Sequence, residues 1–443
     1  MTRTIKLGLF GLALSAMATS TAGAQTAETE AVVEGPGVAL GEGAVFHPAI
    51  SVETGVVSNV FYEDGDRANN DPVASAIARV VAGFSIASQT HKLAEEETPA
   101  IENEGDEENP EEPPPPAKVD FRFGAQAILN GYLSSNDNVQ DQTDVGVGVN
   151  GDVTFLPQGD FSVRLADEFI RDARPHNFES TGNLNRDYNH FMAGGTLQPQ
   201  GRTISVGARY ENTIDRFESD EADFANRLQH LIGLRGEWRL YPYTKFFADA
   251  SYGFFDTLGD PSMQVKSKSN PLRLQVGVGT ALTEVTTLRG YIGYANGFYD
   301  QGTNFSNVIG GAEFGYRYTQ YGRFRIIADY NFRDSLQANF YRDYALLAFL
   351  DQQFGLFVFS ADGGVRLRKY ESVLGNVGGD TSRDDVLLSG AARLAYLLRD
   401  WLAITARFEV TVDQTDYTYM AGGITDSPEY TRYEAYLGVS AAF

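Results

Sequence analysis

Charged residues that could bind a solute recur at alternate positions along many segments of the chain. The residues that we expect to line the inside of the protein are Arg209, Arg235, Arg239, Arg273, Arg289, Arg323, Arg325, Arg366, Arg368, Arg407, Glu211, Glu237, Asp329 and Glu409. Arginine carries a planar fork of several hydrogen-bond donors, which suits an anionic or hydroxyl-rich solute. The same residues are also compatible with Arg–acid pairs that only brace a wide wall, so both interpretations stay open.

Residues of the kind that catalyse reactions are sparse. The five histidines are His47, His91, His176, His190 and His230. No two of them have the spacing of a metal-binding His-x-x-x-His, and there is no Gly-x-Ser-x-Gly nucleophile motif. Gly277 and Gly279 lie inside a strand pattern, which indicates packing or bending positions and not a nucleotide-binding loop. We therefore predict that the protein is not an enzyme and has no catalytic, cofactor-binding or metal-binding residues.

The elements that must position the charged residues are strands. Residues 323–333, 357–368 and 402–413 alternate between apolar side chains and charged or small ones. A period of two indicates a strand whose faces meet different environments. Because a charged side chain at the middle of a bilayer costs about 2–4 kcal/mol, we expect the charged positions to face a lumen. The apolar positions, Phe324 to Phe332 and Phe408 among them, are then expected to face lipid.

Short turn sequences recur about every 33–45 residues between positions 157 and 401, and longer polar links lie between them. Eight short connections and nine long ones correspond to about 18 strands, an even number as bacterial barrels have. The predicted fold class is all-β, a transmembrane antiparallel up-and-down β-barrel over residues 46–443. Both ends of the barrel then lie on the short-turn side, which faces the periplasm in outer-membrane barrels.

The last segment strengthens this prediction. Ala435, Leu437, Val439, Ala441 and Phe443 alternate with polar or small residues. A strand that ends on an aromatic residue resembles the C-terminal signal of Gram-negative outer-membrane barrels. The resemblance implies that the protein lies in the outer membrane, in contact with its lipid, and that the barrel-assembly machinery recognises this strand. If Phe443 faces lipid, Glu434 and Ser440 face inward.

Three segments differ in composition from the barrel. Residues 1–24 carry a basic start, a short apolar run and a small-residue cleavage site, so we predict a removed signal peptide. Residues 25–45 show no periodicity and are predicted to be a flexible leader. Residues 92–117 are acidic and end in four prolines, a composition typical of disorder. This predicted periplasmic insertion is either a solvated linker or a docking segment for a periplasmic polysaccharide-export component.

The overall composition excludes several classes of protein. A net charge of −24 disfavours nucleic acid as a partner, because phosphates are bound by basic surfaces. The absence of cysteine excludes a disulfide framework. No stretch after the signal segment reaches the length of about 18 apolar residues that a membrane-spanning helix needs. A membrane protein of this kind must then be a closed barrel, in which every backbone group is hydrogen-bonded.

Three short motifs in the barrel region point to a family. Phe46-His47-Pro48, Ser58-Asn59-Val60-Phe61 and Arg186-Asp187-Tyr188 lie at predicted strand and loop starts. With these motifs, residues 46–443 resemble the β-barrel porin 2 family, and they are also similar to myxobacterial polysaccharide-secretion barrels. The resemblance implies an outer-membrane channel, in some members tied to exopolysaccharide export, and it supplies no catalytic residue.

The predicted function is that of an outer-membrane channel that passes, or helps to secrete, a polysaccharide or another hydrophilic solute. Inward aromatic side chains such as Phe247 and Tyr291 could stack on sugar rings. A general diffusion porin and a non-conducting structural or adhesive barrel are the alternatives, because the charged residues do not identify a cargo.

Overall fold

The computed structural model describes residues 37–41, 43–65, 71–88, 118–172, 185–199, 203–218, 220–259, 267–371, 373, 382–421 and 424–443. The predicted signal peptide, the predicted insertion at 92–117 and most of the predicted leader lie outside the described residues, so these three remain predictions. The strands are β1 Val38–Leu40, β2 Ala44–Val57, β3 Ser75–Ser88, β4 Val119–Leu133, β5 Asp144–Phe155, β6 Phe161–Asp172, β7 Arg186–Leu197, β8 Ile204–Phe217, β9 Arg227–Tyr241, β10 Thr244–Thr257, β11 Leu272–Thr283, β12 Thr286–Asn296, β13 Ser306–Thr319, β14 Gly322–Asp334, β15 Phe340–Phe354, β16 Phe357–Glu371, β17 Ser382–Arg399, β18 Leu402–Thr415, β19 Tyr419–Ala421, β20 Ile424–Asp426 and β21 Tyr430–Ala442.

Antiparallel pairing of neighbours along the chain builds one continuous wall from β2 to β18, and β21 completes it. The wall closes because β21 pairs with β18 on one side and with β2 on the other. The register between β2 and β21 runs from Ala49 opposite Ala442 to Val57 opposite Glu434. The predicted antiparallel barrel of 18 strands is therefore confirmed. Closure leaves no free sheet edge, so the backbone groups of the wall are paired throughout.

The two ends of the barrel differ in their connections. At one end, here called the turn end, strands are joined by short turns such as Gly355–Leu356, where Phe354 pairs with Phe357 and Gly355 has a φ of 60°. At the other end, the loop end, the connections are longer. They include a helix at Asp137–Gln140, a 3-10 helix at Asp220–Ala225 and the β19–β20 hairpin. Among the described residues, no helix is long and apolar enough to cross a membrane.

The wall has an apolar outer face. In β21, Leu437 is 59% exposed and Phe443 is 53% exposed, whereas Ser440 between them is 6% exposed. The same alternation places Ile404 and Phe408 of β18 on the outside and Thr405 on the inside. A closed barrel with such a face, built mostly from strands of 11–15 residues, is long enough to cross a bilayer, which needs about 9–11 residues per strand.

One prediction about side-chain facing is wrong, and one charged residue lies on the outer face. Phe332 does not face lipid: it is buried with Phe305 and Phe340, because the loops at this end fold over the strand ends. Asp167 of β6 lies on the outer face, in register with Gly151 and Phe191, unlike the charged positions that face inward on other strands. Its carboxylate accepts a hydrogen bond of 3.1 Å from the side chain of Asn189, which partly offsets the cost of placing a charge there.

The segment before the barrel also differs from expectation. Val38–Leu40 forms the short strand β1, which turns back along the start of β2 with Val38 opposite Phe46. The first barrel strand begins at Ala44, so ordered structure starts before the predicted boundary at residue 46.

Candidate solute pathway

The strand alternation places the predicted charged residues on the inner face of the barrel. Arg235 and Glu237 of β9 alternate with the exposed Leu234 and Trp238. In the same way, Arg366 and Arg368 of β16 alternate with the exposed Val365 and Leu367. By this alternation, the inner face carries Arg209, Arg235, Arg239, Arg273, Arg289, Arg323, Arg325, Arg366, Arg368, Arg407, Glu211, Glu237, Asp329 and Glu409.

Many of these residues are joined in ion pairs by one recurring pattern. An arginine two positions before an acid lies on the same face of a strand. Arg209–Glu211, Arg235–Glu237 and Arg407–Glu409 pair in this way, with closest N–O distances of 2.7, 2.8 and 2.5 Å. These pairs support the bracing interpretation for part of the inner wall.

Most of the remaining predicted residues contact other strands or aromatic rings. Arg323 pairs with Asp351 at 2.7 Å, and Arg325 lies 3.7 Å from Glu313. Arg368 lies over the ring of Tyr341 with its guanidinium carbon 4.6 Å from the ring centroid. Further bonds of the predicted set include Arg366 to Asp343 at 2.6 Å, Arg273 to the carbonyl oxygen of Phe332 at 2.9 Å and Asp329 to the hydroxyl of Tyr291 at 2.5 Å.

Ion pairs close to the turn end are solvated, whereas Arg209 and Asp249, nearer the middle of the wall, are only 14% and 11% exposed. The side chains of Arg323 and Asp351 are 42% and 31% exposed. Arg164 with Asp152, on β6 and β5, is similarly open at an N–O distance of 2.5 Å. Solvated charges of both signs indicate that this half of the lumen holds water.

The loop-end half contains ion pairs that sequence reasoning missed. Arg383 and Asp385 of β17 pair at 2.7 Å, and the side chains of both are fully buried. Arg432 of β21 pairs with Glu434 at 2.6 Å and also donates to the backbone oxygen of Asn59 at 3.0 Å. Both pairs follow the Arg-x-acid pattern of the turn-end half, so the signal that could have found them was present in the sequence.

A short loop reaches into the loop end of the lumen. Residues 335–339, here called the inner loop, join β14 to β15, and Ser335, Leu336, Ala338 and Asn339 are all buried. Leu336 packs against Phe217 of β8 and the 3-10 helix. The 3-10 helix leads into β9, which is five strand spacings from β14, or about 24 Å along the wall. The contact between the inner loop and this helix must therefore cross the interior of the barrel.

Polar contacts hold the inner loop in this position. Gln337 accepts a hydrogen bond of 2.9 Å from Arg383 of β17, and Asn339 donates to the backbone oxygen of Gln301 at 2.7 Å. Just before the loop, Asp334 forms an ion pair with Arg227 of β9, which also binds Asp215 at 2.6 Å. The inner loop therefore narrows the lumen at the loop end through contacts with several sides of the wall.

The aromatic residues that were expected to stack on sugars have a different role. A Cβ atom at Gly277 would lie against the ring of Phe247, and one at Gly311 would lie 2.6 Å from the ring of Tyr291. Both rings thus pack closely against glycines of the wall. The guanidinium carbons of Arg235 and Arg289 lie 4.9 and 5.2 Å from the centroid of the Phe247 ring, so its open face carries arginine.

The described side chains include no group of three or more histidines or acids that could hold a metal ion. His190 contacts Thr213 at 3.0 Å and lies 3.8 Å from Glu211. Its neighbourhood is therefore part of the polar inner wall.

Comparison with known proteins shows similarity at the level of shape. No family model and no curated protein matches the chain, so the resemblance to the β-barrel porin 2 family remains a prediction. Similar solved structures include OccK1 (OpdK) of Pseudomonas aeruginosa, with 9% identity, a TM-score of 0.43 and coverage of 90% of this chain and 99% of that chain. OccK5 (OpdH) of the same organism has 11% identity, a TM-score of 0.42 and coverage of 90% and 98%.

The siderophore receptor PirA of Pseudomonas aeruginosa is also similar, with 12% identity, a TM-score of 0.39 and coverage of 90% of this chain and 80% of that chain. TM-scores of this size carry no argument about function. The closed antiparallel wall and its apolar outer face identify the fold on their own. The protein is an outer-membrane β-barrel.

Proposed function

We propose that the protein is a channel that passes hydrophilic solutes across the outer membrane through the lumen of the barrel. The observation that carries this proposal is the solvated, charged inner wall of the turn-end half, where pairs such as Arg323–Asp351 and Arg164–Asp152 remain open to water. A barrel of this strand number encloses enough space for an aqueous path. The inner loop sets the narrowest part of that path.

Planar-bilayer recording of the purified full chain tests the proposal. We expect steady single-channel steps in KCl, with a conductance limited by the inner loop. If reconstituted protein of verified barrel fold gives no steady steps, the proposal is wrong and a non-conducting structural barrel becomes the better interpretation. A general diffusion porin would conduct as well, but it would pass neutral and charged sugars of equal size at similar rates in a vesicle-swelling assay.

We also propose a narrower function, in which the solute is a polysaccharide and the barrel serves its secretion. The support is the resemblance of residues 46–443 to exopolysaccharide-associated barrels together with a lumen rich in arginine and acid. In this proposal, residues 92–117 contact a periplasmic polysaccharide-export component. Deleting these residues should lower the amount of surface polysaccharide while leaving conductance unchanged. Unchanged secretion would contradict the docking role.

The C-terminal strand is proposed to be the segment that the barrel-assembly machinery recognises. Its outer face ends in Phe443, whose ring lies 6.1 Å from that of Trp401 between centroids. Removing Phe443 should reduce the amount of assembled barrel in the membrane, whereas Phe357→Leu, another aromatic change at the turn end, should not. Equal assembly of both variants would argue against recognition through Phe443.

A further inference from the structure

Arg289 on the inner wall lies over an aromatic ring and forms no ion pair with a described acid. Arg289 of β12 lies over Phe247, and in the described chain no carboxylate lies within ion-pair distance of its guanidinium group. Arg235 shares the ring, but it is bound to Glu237 at 2.8 Å. Arg289 is therefore a lumen-facing cation whose charge the protein does not neutralise by direct contact.

The aromatic platform fixes the orientation of this cation. A guanidinium stacked on a ring keeps the N–H donors of its edge available, because stacking uses its face and hydrogen bonding uses its plane. The ring of Phe247 is itself held against Gly277. The donors of Arg289 are thus presented to the lumen by a supported side chain.

The wall beside Arg289 leaves room for a ligand. Gly279 of β11 lies between Lys245 of β10 and Arg289 in the strand register. A Cβ atom at Gly279 would meet no atom within 4 Å, so the space above this glycine is open. Two strand spacings separate Lys245 from Arg289, so their backbones are about 10 Å apart. Two long side chains can span this distance and enclose a small anionic group.

The local charge balance favours an anion. Lys245 and Arg235 share one acid, Glu237, whose carboxylate lies 3.4 Å from the ammonium group of Lys245 and 2.8 Å from the guanidinium group of Arg235. Glu313 lies opposite Arg289 in the strand register, but its nearest cation is Arg325 at 3.7 Å. Lys245, Arg235, Arg289 and Arg325 are thus four cations beside two acids, Glu237 and Glu313. A guanidinium edge and an ammonium group together match the two oxygens of a carboxylate.

We propose that Arg289 and Lys245, above Gly279, form a binding site for the carboxylate group of an acidic sugar on its way through the lumen. The site deepens the proposed function and rests on it, since the sugar must enter the water-filled turn-end half. Phe247 acts as a positioning residue, because it supports Arg289 and does not contact the ligand.

Direct binding to the detergent-solubilised full chain, measured by isothermal titration calorimetry, tests the site without requiring conductance. Glucuronate is the probe, glucose is its neutral match, and glucose 6-phosphate carries phosphate instead of carboxylate. We expect glucuronate to bind and glucose to give no signal. Equal binding of glucose and glucuronate, no binding of glucuronate, or tighter binding of glucose 6-phosphate would each overturn the carboxylate assignment.

Variants locate the binding. Arg289→Gln should weaken glucuronate binding about tenfold, since a charge-assisted hydrogen bond is lost. Arg164→Gln is the matched control, because Arg164 lies in the same half of the lumen but is paired with Asp152. This variant should leave glucuronate affinity unchanged. If Arg289→Gln fails to fold, Lys245→Gln and Gly279→Leu test the same site from its other side. Unchanged affinity in the folded variants would overturn the site, while conduction by wild-type protein would still support the channel.

Discussion

The ion pairs at the two ends of the lumen have the same chemistry but different surroundings. Arg383 and Asp385 at the loop end are fully buried, whereas Arg323 and Asp351 at the turn end are substantially exposed. Both are close arginine–carboxylate contacts, at 2.7 Å each. The difference lies in the inner loop and its neighbours, which exclude water from the Arg383–Asp385 pair, whereas the Arg323–Asp351 pair is open to water.

This contrast assigns different physical roles to similar residues. A buried ion pair has lost its hydration and depends on its partner, so it holds the loop end in one arrangement. A solvated ion pair contributes little to stability but keeps the lumen polar. We infer that the loop end is a rigid constriction and the turn end a wet vestibule.

The largest expected difference is in stability. Asp385→Ala leaves Arg383 buried without its closest carboxylate and should lower the free energy of unfolding by about 3–5 kcal/mol. Asp351→Ala removes the equivalent acid from a solvated pair and should cost less than about 1 kcal/mol. Urea unfolding followed by the heat-modifiable electrophoretic mobility of the barrel measures both. Similar costs at the two ends would show that the burial of the loop-end pair has no energetic consequence.

A second expected difference is in conductance. Replacing residues 336–338 by two glycines removes Leu336 and Gln337, which anchor the inner loop to β8 and β17. Because the narrowest part of a channel limits its current, we expect conductance to rise about twofold. Substituting both residues of the turn at 284–285 by glycine is the control at the other end and should leave conductance unchanged. An unaltered conductance in the loop variant would place the constriction elsewhere.

Much of this arrangement could be predicted from the sequence, because a barrel strand has a strict period of two. The outward Leu437 and the inward Ser440 follow from that period alone. The Arg-x-acid pattern likewise indicates pairs such as Arg407–Glu409, since both side chains lie on one face.

The inner loop could not be predicted in this way. Residues 335–339 form a five-residue polar link by composition, and the contacts that bury them come from β8, β17 and the loop around Gln301, which are distant in sequence. Phe332 was misplaced for the same reason, because strand periodicity describes a wall and not the loops that fold over its end. The exception at Asp167 depends on Asn189, a partner on the next strand that only the register identifies.

A third expected effect separates two glycines of the turn-end half. Gly277→Ala should destabilise the barrel by about 1–3 kcal/mol, because the new Cβ would overlap the ring of Phe247 and the carbonyl oxygen of Gly290. Gly279→Ala, two residues along the same face, meets open space and should change the free energy of unfolding by less than about 0.5 kcal/mol. Urea midpoints of the two variants measure the difference. If both are neutral, the ring of Phe247 is free to move, and the support of Arg289 by this platform is lost.

The smallest expected effect concerns salt. Arg393→Gln breaks a part-exposed contact of 3.0 Å with Asp362, and we expect a cost of about 0.2–1 kcal/mol at low ionic strength. That cost should largely disappear in 1 M KCl, where the screening length falls from about 10 Å to about 3 Å. The cost of Asp385→Ala should persist at both salt concentrations, because the Arg383–Asp385 pair is fully buried and lies out of contact with the ions of the lumen. Urea unfolding at the two concentrations measures both responses. If the penalty for Asp385→Ala also falls with salt, mobile ions reach Arg383, and the loop end must be as wet as the vestibule below it.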